Sequence, residues 1–435
     1  MSLREYIPDA YRELLASPVA ILGVGASGNA VRDLLGKLGT KHTAYDEHSG
    51  EDGDVRHRFD EAEAKRHRLV IHSPAFSIGH PWLAVAEAAG CEVVSEIDFA
   101  QQLRRGPTIV ITGTNGKTTL QEFITFSLKR SGISAMAVGH NHYPLSRLAV
   151  RPDLEGVTAV CELGPRSAGP LKAFRFDALF WTNFHEDHLN DEEARQKAFA
   201  ELLRLSSLSP EALLYFGDSV FAAGREMGFT MPARARRLEP EDYPRWELPE
   251  RTAFATNIHR PALALYRRYW LEKGYSDSLL KGAAENFEVR AHRLHVLTVI
   301  GKTVFWNDSK ASNFAATEAA LSNFAEPVVW IGGGHYRGGN LEAFAERLLP
   351  SLRAAVVIGD VQARLKELFE ERHLPVASVA DLRSGVDSAF AFARGTSPVV
   401  FSPGFIAGEE YGNFMERGTA YENAVFGLKH QKGSV

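Results

Sequence analysis

The stretch Thr108–Leu120, TIVITGTNGKTTL, decides how the rest of the chain is read. Ile109-Val110-Ile111 is the short apolar run of a buried parallel strand. It enters Gly113-Thr114-Asn115-Gly116-Lys117-Thr118-Thr119 and then the helical pattern Leu120–Ile124. A strand, a glycine loop and a helix N-terminus together form a phosphate cradle. Glycines let successive N–H groups turn toward one anion, the helix dipole favours negative charge there, and a lysine can reach the β/γ-phosphates. Lys117 is that lysine, and Thr118 is placed to offer its hydroxyl to Mg²⁺. Ile111 stands where the general G-x-x-x-x-G-K-[ST] pattern has glycine, so this loop is a shortened form. The pattern implies bound ATP.

Outward from the loop, strand-like runs alternate with helical patterns: Val19–Gly23, Leu69–His72, Ile109–Thr112, Ala159–Leu163, Ala178–Asn183, Val328–Gly332, Ala354–Ile358 and Val399–Ser402. Such alternation implies the α/β class, with parallel sheets covered by helices. Three domains are expected: residues 1–105, Rossmann-like; 106–290, the P-loop ATPase domain with a mostly parallel sheet; and 291–435, again Rossmann-like. The polar QQLRRGP at 101–107 marks the first boundary. Leu294–Phe305, turning at Gly301-Lys302, reads as a hairpin that opens the third domain.

Composition narrows the class. Of 435 residues, 45% are apolar and 24% charged, ordinary for a globular protein. A net charge of −5 gives no global attraction for nucleic acid. Cys91 and Cys161 lie in β-like apolar runs and read as reduced core residues, which fits a cytoplasmic protein. The charged N-terminus lacks the apolar core of a signal peptide, and no apolar run is long enough to span a membrane. We expect a monomer acting on small molecules.

A second glycine-rich turn lies upstream. Gly23-x-Gly25-x-x-Gly28 follows a strand, and Asp46 ends the next strand-like stretch. This is the dinucleotide fingerprint, with Gly25, Ala26 and Ser27 at a helix N-terminus and an acid for ribose hydroxyls. Alone it admits NAD or another nucleotide. Elsewhere, Glu162 ends a buried strand, where parallel sheets place ligands, and Asp187-His188-Leu189 follows another. Both strands are expected side by side, with their ends on one rim. Asp308 or Ser309 could cap the helix that follows them.

The short loop T-G-T-N-G-K-T resembles that of the Mur ligases and folylpolyglutamate synthases, and further motifs follow in the family's order over roughly residues 20–425. His72-Ser73-Pro74 and Gly139–Leu145 (GHNHYPL) are similar to its substrate-contacting loops. The likeness implies substrate contacts from Gly25, Ala26, Ser27, Asp46, Ser73, His140 and Asn141. Glu162 and His188, with Thr118, would hold Mg²⁺. The family's carbamylated lysine falls on Glu201, whose carboxylate could act directly, with Lys197 as the competing candidate. Gly164–Ala168 departs from the family's S-S-F-Q-L. Asn257 keeps one residue of its adenine motif, in which Arg260 replaces the second asparagine.

In the third domain, Trp306–Thr317 (WNDSKASNFAAT) matches N-D-S-K-A-T-N…A-T. The resemblance gives Arg293 and Asp308 to the nucleotide, Lys310 to the reacting groups, and Arg337, Ser402 and Phe414 to the incoming amino acid. Ala407 falls where the family has serine. The family joins a carboxylate to an amine using ATP, and its D-glutamate-adding branch extends UDP-N-acetylmuramoyl-L-alanine. The cofactors implied are ATP and Mg²⁺. A ligase for a different acceptor or amino acid, a nucleotide-binding relative without activity, and an NAD-dependent dehydrogenase are the alternatives.

Overall fold

The computed structural model describes residues 7–48, 55–74, 76, 79–139, 143–149, 151–185, 192–249, 252–254, 259–288 and 290–432. Three sheets carry the fold. The first contains β1 (Val19–Leu22), β2 (His42–Tyr45), β3 (Val55–Arg56), β4 (Leu69–His72) and β5 (Glu92–Ser95), ordered β3-β2-β1-β4-β5 and all parallel. This is the doubly wound order, with β1 at its centre.

The second sheet contains β6 (Thr108–Thr112), β7 (Ala135–Gly139), β8 (Thr158–Glu162), β9 (Ala178–Trp181), β10 (Leu213–Phe216) and β11 (Ala235–Arg237). Its order is β11-β10-β9-β6-β8-β7, again parallel throughout. Every residue of β1, β4, β6, β8 and β9 is buried. Burial on both faces is why these strands read as unbroken apolar runs rather than alternating ones.

The third sheet contains β12 (His295–Ile300), β13 (Thr303–Asn307), β14 (Val328–Gly334), β15 (Leu352–Gly359), β16 (Val376–Ser378) and β17 (Val399–Phe401), ordered β12-β13-β17-β14-β15-β16. Only the hairpin β12–β13 is antiparallel, turning at Gly301 with φ 61°. One core layer of this sheet packs Trp330, Phe344, Leu365 and Phe369, the other Ile331, Val356, Val386 and Tyr421.

The chain divides into two compact units. One comprises Met1–Phe184, Gln196–Pro244 and Ala264–Ala283; the other comprises His185–Arg195, Arg245–Leu263 and Ala284–Val435. Within the first unit, the helix Glu96–Gln102 ties the first two sheets together. The buried Glu96 carboxylate accepts the Ser146 N–H at 2.7 Å, and burial raises its pKa. Asp98 accepts the N–H groups of Lys172 (2.7 Å) and Ala173 (3.3 Å).

Two sequence expectations are corrected. β8 and β9 are not neighbours, because β6 lies between them. Consecutive strands need not pair, and here the chain crosses over β6, so the phosphate-loop strand becomes the switch point of the sheet, with β8 on one side and β9 on the other. The helix after the N-D-S-K stretch begins at Phe314 and is capped by Asn313, the residue that the family resemblance puts at its opening, whose side chain accepts the Ala316 N–H; the alternative caps, Asp308 and Ser309, do not cap it. Cys161 lies within β8, whereas Cys91 precedes β5; both are buried and unpaired.

Candidate functional site

β6 ends at Thr112, and the loop Gly113–Gly116 carries the chain into the helix Lys117–Arg130. Gly113 has φ 137° and Gly116 φ 78°, the left-handed region that glycine enters without strain. A Cβ on Gly113 would lie 2.2 Å from Thr182 Oγ1, so the loop also needs glycine for space. Gly116 occupies the N-cap and offers no side-chain acceptor, which leaves the first N–H groups of the helix directed at the loop's concavity.

The loop is clamped from behind by the residues after β9. Asn183 accepts the Asn115 N–H with its side-chain oxygen at 2.8 Å and donates its side-chain N–H to the Asn115 carbonyl at 3.0 Å. Thr182 donates to the same carbonyl at 2.9 Å. Thr182 and Asn183 thus set the loop's shape, a role the sequence reading missed although both close the strand-like run Ala178–Asn183 that it identified. Lys117 Nζ donates to the Gly113 and Thr114 carbonyls at 2.6 and 2.9 Å, lying across the loop.

Glu162 closes the site from the other side. β6 and β8 pair Ile111 with Glu162, so the carboxylate emerges level with the last turn of the phosphate strand. It is buried, at 2% exposure, and Glu162 Oε2 accepts the Thr118 hydroxyl at 2.9 Å. A hydroxyl and a carboxylate in contact are two hard oxygen donors, the set Mg²⁺ prefers beside phosphate oxygens and water. The residues present therefore fit Mg²⁺.

Glu201 lies on the helix Glu192–Leu208, half-buried; burial pushes its carboxyl up, partly offset by the charges of Lys197 and Arg204. Arg204 itself donates to the carbonyls of Leu171, Ala168 and Gly169 and so pins the segment beyond Glu162. Among the described residues, no group of three or more His, Cys, Asp and Glu could hold a metal. His188, His140, Asn141 and Asn257 lie outside the described residues.

The upstream glycine turn is built alike. A Cβ on Gly28 would sit 1.7 Å from the Gly23 carbonyl oxygen, so the helix Ala26–Leu38 can approach β1 only with glycine there. Asp46, just beyond β2, accepts the Val24 N–H at 2.9 Å and the His48 N–H at 2.9 Å. Ser73 stands against the turn, 3.1 Å from where a Cβ on Gly23 would lie. Gly25 and Ala26 are exposed and Ser27 half-buried at the helix start.

In the third sheet, Asp308 is buried just past β13. Its carboxylate accepts the Ser402 hydroxyl at 2.8 Å and the Leu294 N–H at 3.1 Å. Burial pushes its pKa up to about 7, against those hydrogen bonds and the charges of Arg293 and Arg417. Arg417 is itself buried, at 3% exposure, and holds the Ser309 and Phe405 carbonyls. Lys310 Nζ sits 4.1 Å from the Phe414 ring centroid, a cation–π contact.

Phe414 also lines a cavity of about 950 Å³ at the carboxyl ends of β14, β15 and β17, together with Ser312, His335, Arg337, Asp360 and Ala407. Arg337 is exposed there and pairs with no acid among the described residues. Ser402 does not line this cavity; its hydroxyl is spent on Asp308. His335 and Asp360 are wall residues that the sequence reading did not single out.

Residues 111–226 match the Mur ligase middle domain. The chain is 28% identical over 447 residues to the UDP-N-acetylmuramoylalanine–D-glutamate ligase of Leuconostoc mesenteroides subsp. mesenteroides, covering 96% of this chain and 98% of the relative. Its counterpart from Shouchella clausii is 26% identical, covering 95% and 98%. Among solved structures, a pseudomurein peptide ligase type C from Methanothermus fervidus superimposes with a TM-score of 0.57 at 16% identity, covering 95% of this chain and all of that one. The UDP-N-acetylmuramate–alanine ligase of Thermotoga maritima gives 0.55 at 15%, with the same coverage. At such identities the structures establish a shared fold. Among the described residues, no helix is long and apolar enough to cross a membrane.

Proposed function

We propose that this chain, built on a Mur ligase middle domain and similar to enzymes of that family along nearly its whole length, is an ATP-dependent ligase of cell-wall precursor synthesis. It joins the carboxylate of UDP-N-acetylmuramoyl-L-alanine to the amine of D-glutamate through an acyl phosphate. The observation that carries this reading is the contact of Thr118 with the buried Glu162, beside a strand and glycine loop that lead into a helix beginning at Lys117. The reading takes residues 1–105 for the UDP end, 106–290 for ATP and 291–435 for the amino acid. The protein acts as a cytoplasmic monomer.

The chemistry follows from the charges. A carboxylate is a poor electrophile, and phosphorylation gives it a leaving group. Bringing it to ATP sets anion against anion, so catalysis must come from positioning and charge. The N–H groups at the helix start, from Gly116 to Thr118, bind the phosphates, while those of Thr114 and Asn115 stay with Asn183 and hold the loop's shape. Lys117 leaves the loop carbonyls it now holds and follows the transferring phosphoryl group. Thr118 and Glu162, with His188 and with Glu201 as a further carboxylate, would hold Mg²⁺, which supplies charge neutralisation when bound. Arg293, Asp308 and Asn257 serve the nucleotide, and Lys310 the reacting carboxyl. Gly25–Ser27, Asp46, Ser73, His140 and Asn141 serve the UDP-linked substrate, while Arg337 and Phe414 line the amino-acid cavity. The Asp308-bound Ser402 braces that cavity from behind.

The test is phosphate release from ATP with UDP-N-acetylmuramoyl-L-alanine and a panel of D- and L-amino acids. Release that requires D-glutamate supports the reading. Release with a different amino acid moves the specificity while keeping the chemistry, an outcome that Ala407 and Arg337 in the cavity wall would rationalise. No release with any member of the panel overturns it.

A further inference from the structure

We infer that His335 is the general base that deprotonates the incoming amino acid, with Asp360 as its positioning residue. The inference rests on the ligase reading above and adds to it a step on which that reading is silent. An amino acid reaches the cavity as an ammonium ion, which has no lone pair and cannot attack an acyl phosphate. Some group must remove a proton at that site.

The third sheet constructs such a group. β14 and β15 run parallel in register to their last pair, Gly334 opposite Gly359. One residue further, at the carboxyl rim where parallel sheets bind ligands, His335 and Asp360 face each other, and both line the cavity. Their Nδ1–Oδ2 separation is 2.6 Å. A carboxylate only accepts, so Nδ1 carries the proton and Nε2 keeps its lone pair.

The approach is enforced by glycines. A Cβ on Gly333 would lie 2.1 Å from the Ile358 carbonyl oxygen, one on Gly334 2.6 Å from that of Ile406, and one on Gly359 2.8 Å from Gly334. The backbone is fixed as well: His335 donates its N–H to the Ile406 carbonyl at 3.1 Å, and Asp360 donates to that of Gly334 at 3.1 Å. Both side chains are at least half exposed, where an ion pair contributes little to stability. A pair held this firmly for so small a gain in stability has the arrangement of a base and its orienting carboxylate.

The charged and titratable groups around it are Arg337 on its own loop, Asp360 across the strands, Glu409, Glu410 and Tyr411 on the loop after β17, and Arg417 on the helix Phe414–Lys432. In the step itself, the ammonium gives one proton to Nε2. The freed nitrogen lone pair bonds to the acyl carbon as the C=O π pair moves to oxygen. Collapse restores the carbonyl and breaks the C–O bond to phosphate, which leaves with its electron pair, and the nitrogen sheds a second proton to phosphate or solvent.

The experiment compares His335→Gln with the wild type using two nucleophiles: the amino acid, and hydroxylamine, which is already unprotonated near neutral pH. Removing a general base should lower kcat for the amino acid by about 10²–10⁴-fold. Its KM should stay near the wild-type value, the acid limb of the kcat–pH profile should disappear, and hydroxamate formation from the acyl phosphate should persist. Asp360→Asn should lower kcat by less, with KM near the wild-type value and hydroxamate formation kept. Wild-type kcat and pH profile in His335→Gln, a change confined to KM, or hydroxamate lost in step with ligation would each overturn the assignment. If the wild type itself forms no hydroxamate from ATP and the acceptor, the ligase reading fails first and the assignment falls with it.

Discussion

The two glycine turns of the first compact unit share one plan and differ in one hydrogen bond. Each follows an interior strand of a parallel sheet, β1 or β6, and opens a helix. Each is overhung by an acid from the end of the neighbouring strand, Asp46 beyond β2 and Glu162 in β8. Asp46 takes a backbone N–H of its turn, that of Val24, which a phosphate would otherwise need. Glu162 takes a side-chain hydroxyl, that of Thr118, while the Thr114 and Asn115 N–H groups of its loop go to Asn183. The first turn also carries no cation, whereas the second carries Lys117. An acid on the backbone disfavours phosphate at the turn and suits the hydroxyls of a nucleoside or sugar. An acid on a hydroxyl beside a lysine suits a metal and a phosphoryl group in transfer. The glycine pattern therefore identifies an architecture, and the partner of the acid identifies the chemistry.

The largest effect should follow loss of the cation that separates the two turns. Lys117→Ala is expected to lower kcat for ligation by about 10³-fold or more, the scale on which one cation acts in phosphoryl transfer. The side chain is only partly buried and its Nζ donates to carbonyls of its own loop, so the melting temperature should stay near that of the wild type. Near-normal turnover would erase the distinction between the turns. Next in size is Glu162→Gln, which keeps shape and the contact with Thr118 but removes the charge. Activity should fall by roughly 10²–10³-fold, the scale of one electrostatic contact to developing charge. Titration with Mg²⁺ should show half-maximal activity at a higher metal concentration. An unchanged metal dependence would mean that Glu162 supports the loop without serving a cation.

How much of this was legible depended on whether the signal was local. β6, its loop and its helix could be read because apolar strand, glycines and lysine are contiguous, and buried parallel strands advertise themselves as continuous apolar runs. β3 and β11 escaped because they are short and partly exposed, so no run distinguishes them. The order of the second sheet was read wrongly at β8 and β9, since nothing in either strand records that β6 separates them. The clamp from Thr182 and Asn183 was missed for a related reason: its partner, Asn115, is 68 residues away for Asn183. His335 and Asp360 meet only because Gly334 and Gly359 pair in register, a relation between strands rather than a motif. Ser402 was read toward the amino acid, yet its hydroxyl is held by Asp308 from 94 positions away, a pairing that no local signal records.

The smallest effect tests the comparison most directly. Asp46→Asn keeps the shape and an oxygen to accept the Val24 N–H, but it turns a charge-assisted hydrogen bond into a neutral one. Hydrogen bonds to charged groups contribute about 1.5–3 kcal/mol and neutral ones about 0.5–1.5, so roughly 1 kcal/mol is at stake. Applied to a substrate hydroxyl, that corresponds to a rise of about fivefold in KM for the UDP-linked substrate, because every 1.4 kcal/mol is a factor of ten. The KM for ATP and kcat should not move, since the second turn keeps Lys117, Thr118 and Glu162. A fall in kcat without a change in KM would mean that the first turn takes part in the reaction and is not confined to holding substrate. A fall in KM would point the other way: with the negative charge gone, the turn would have become a better phosphate cradle, and the acid would be there to keep phosphate off the Val24 N–H.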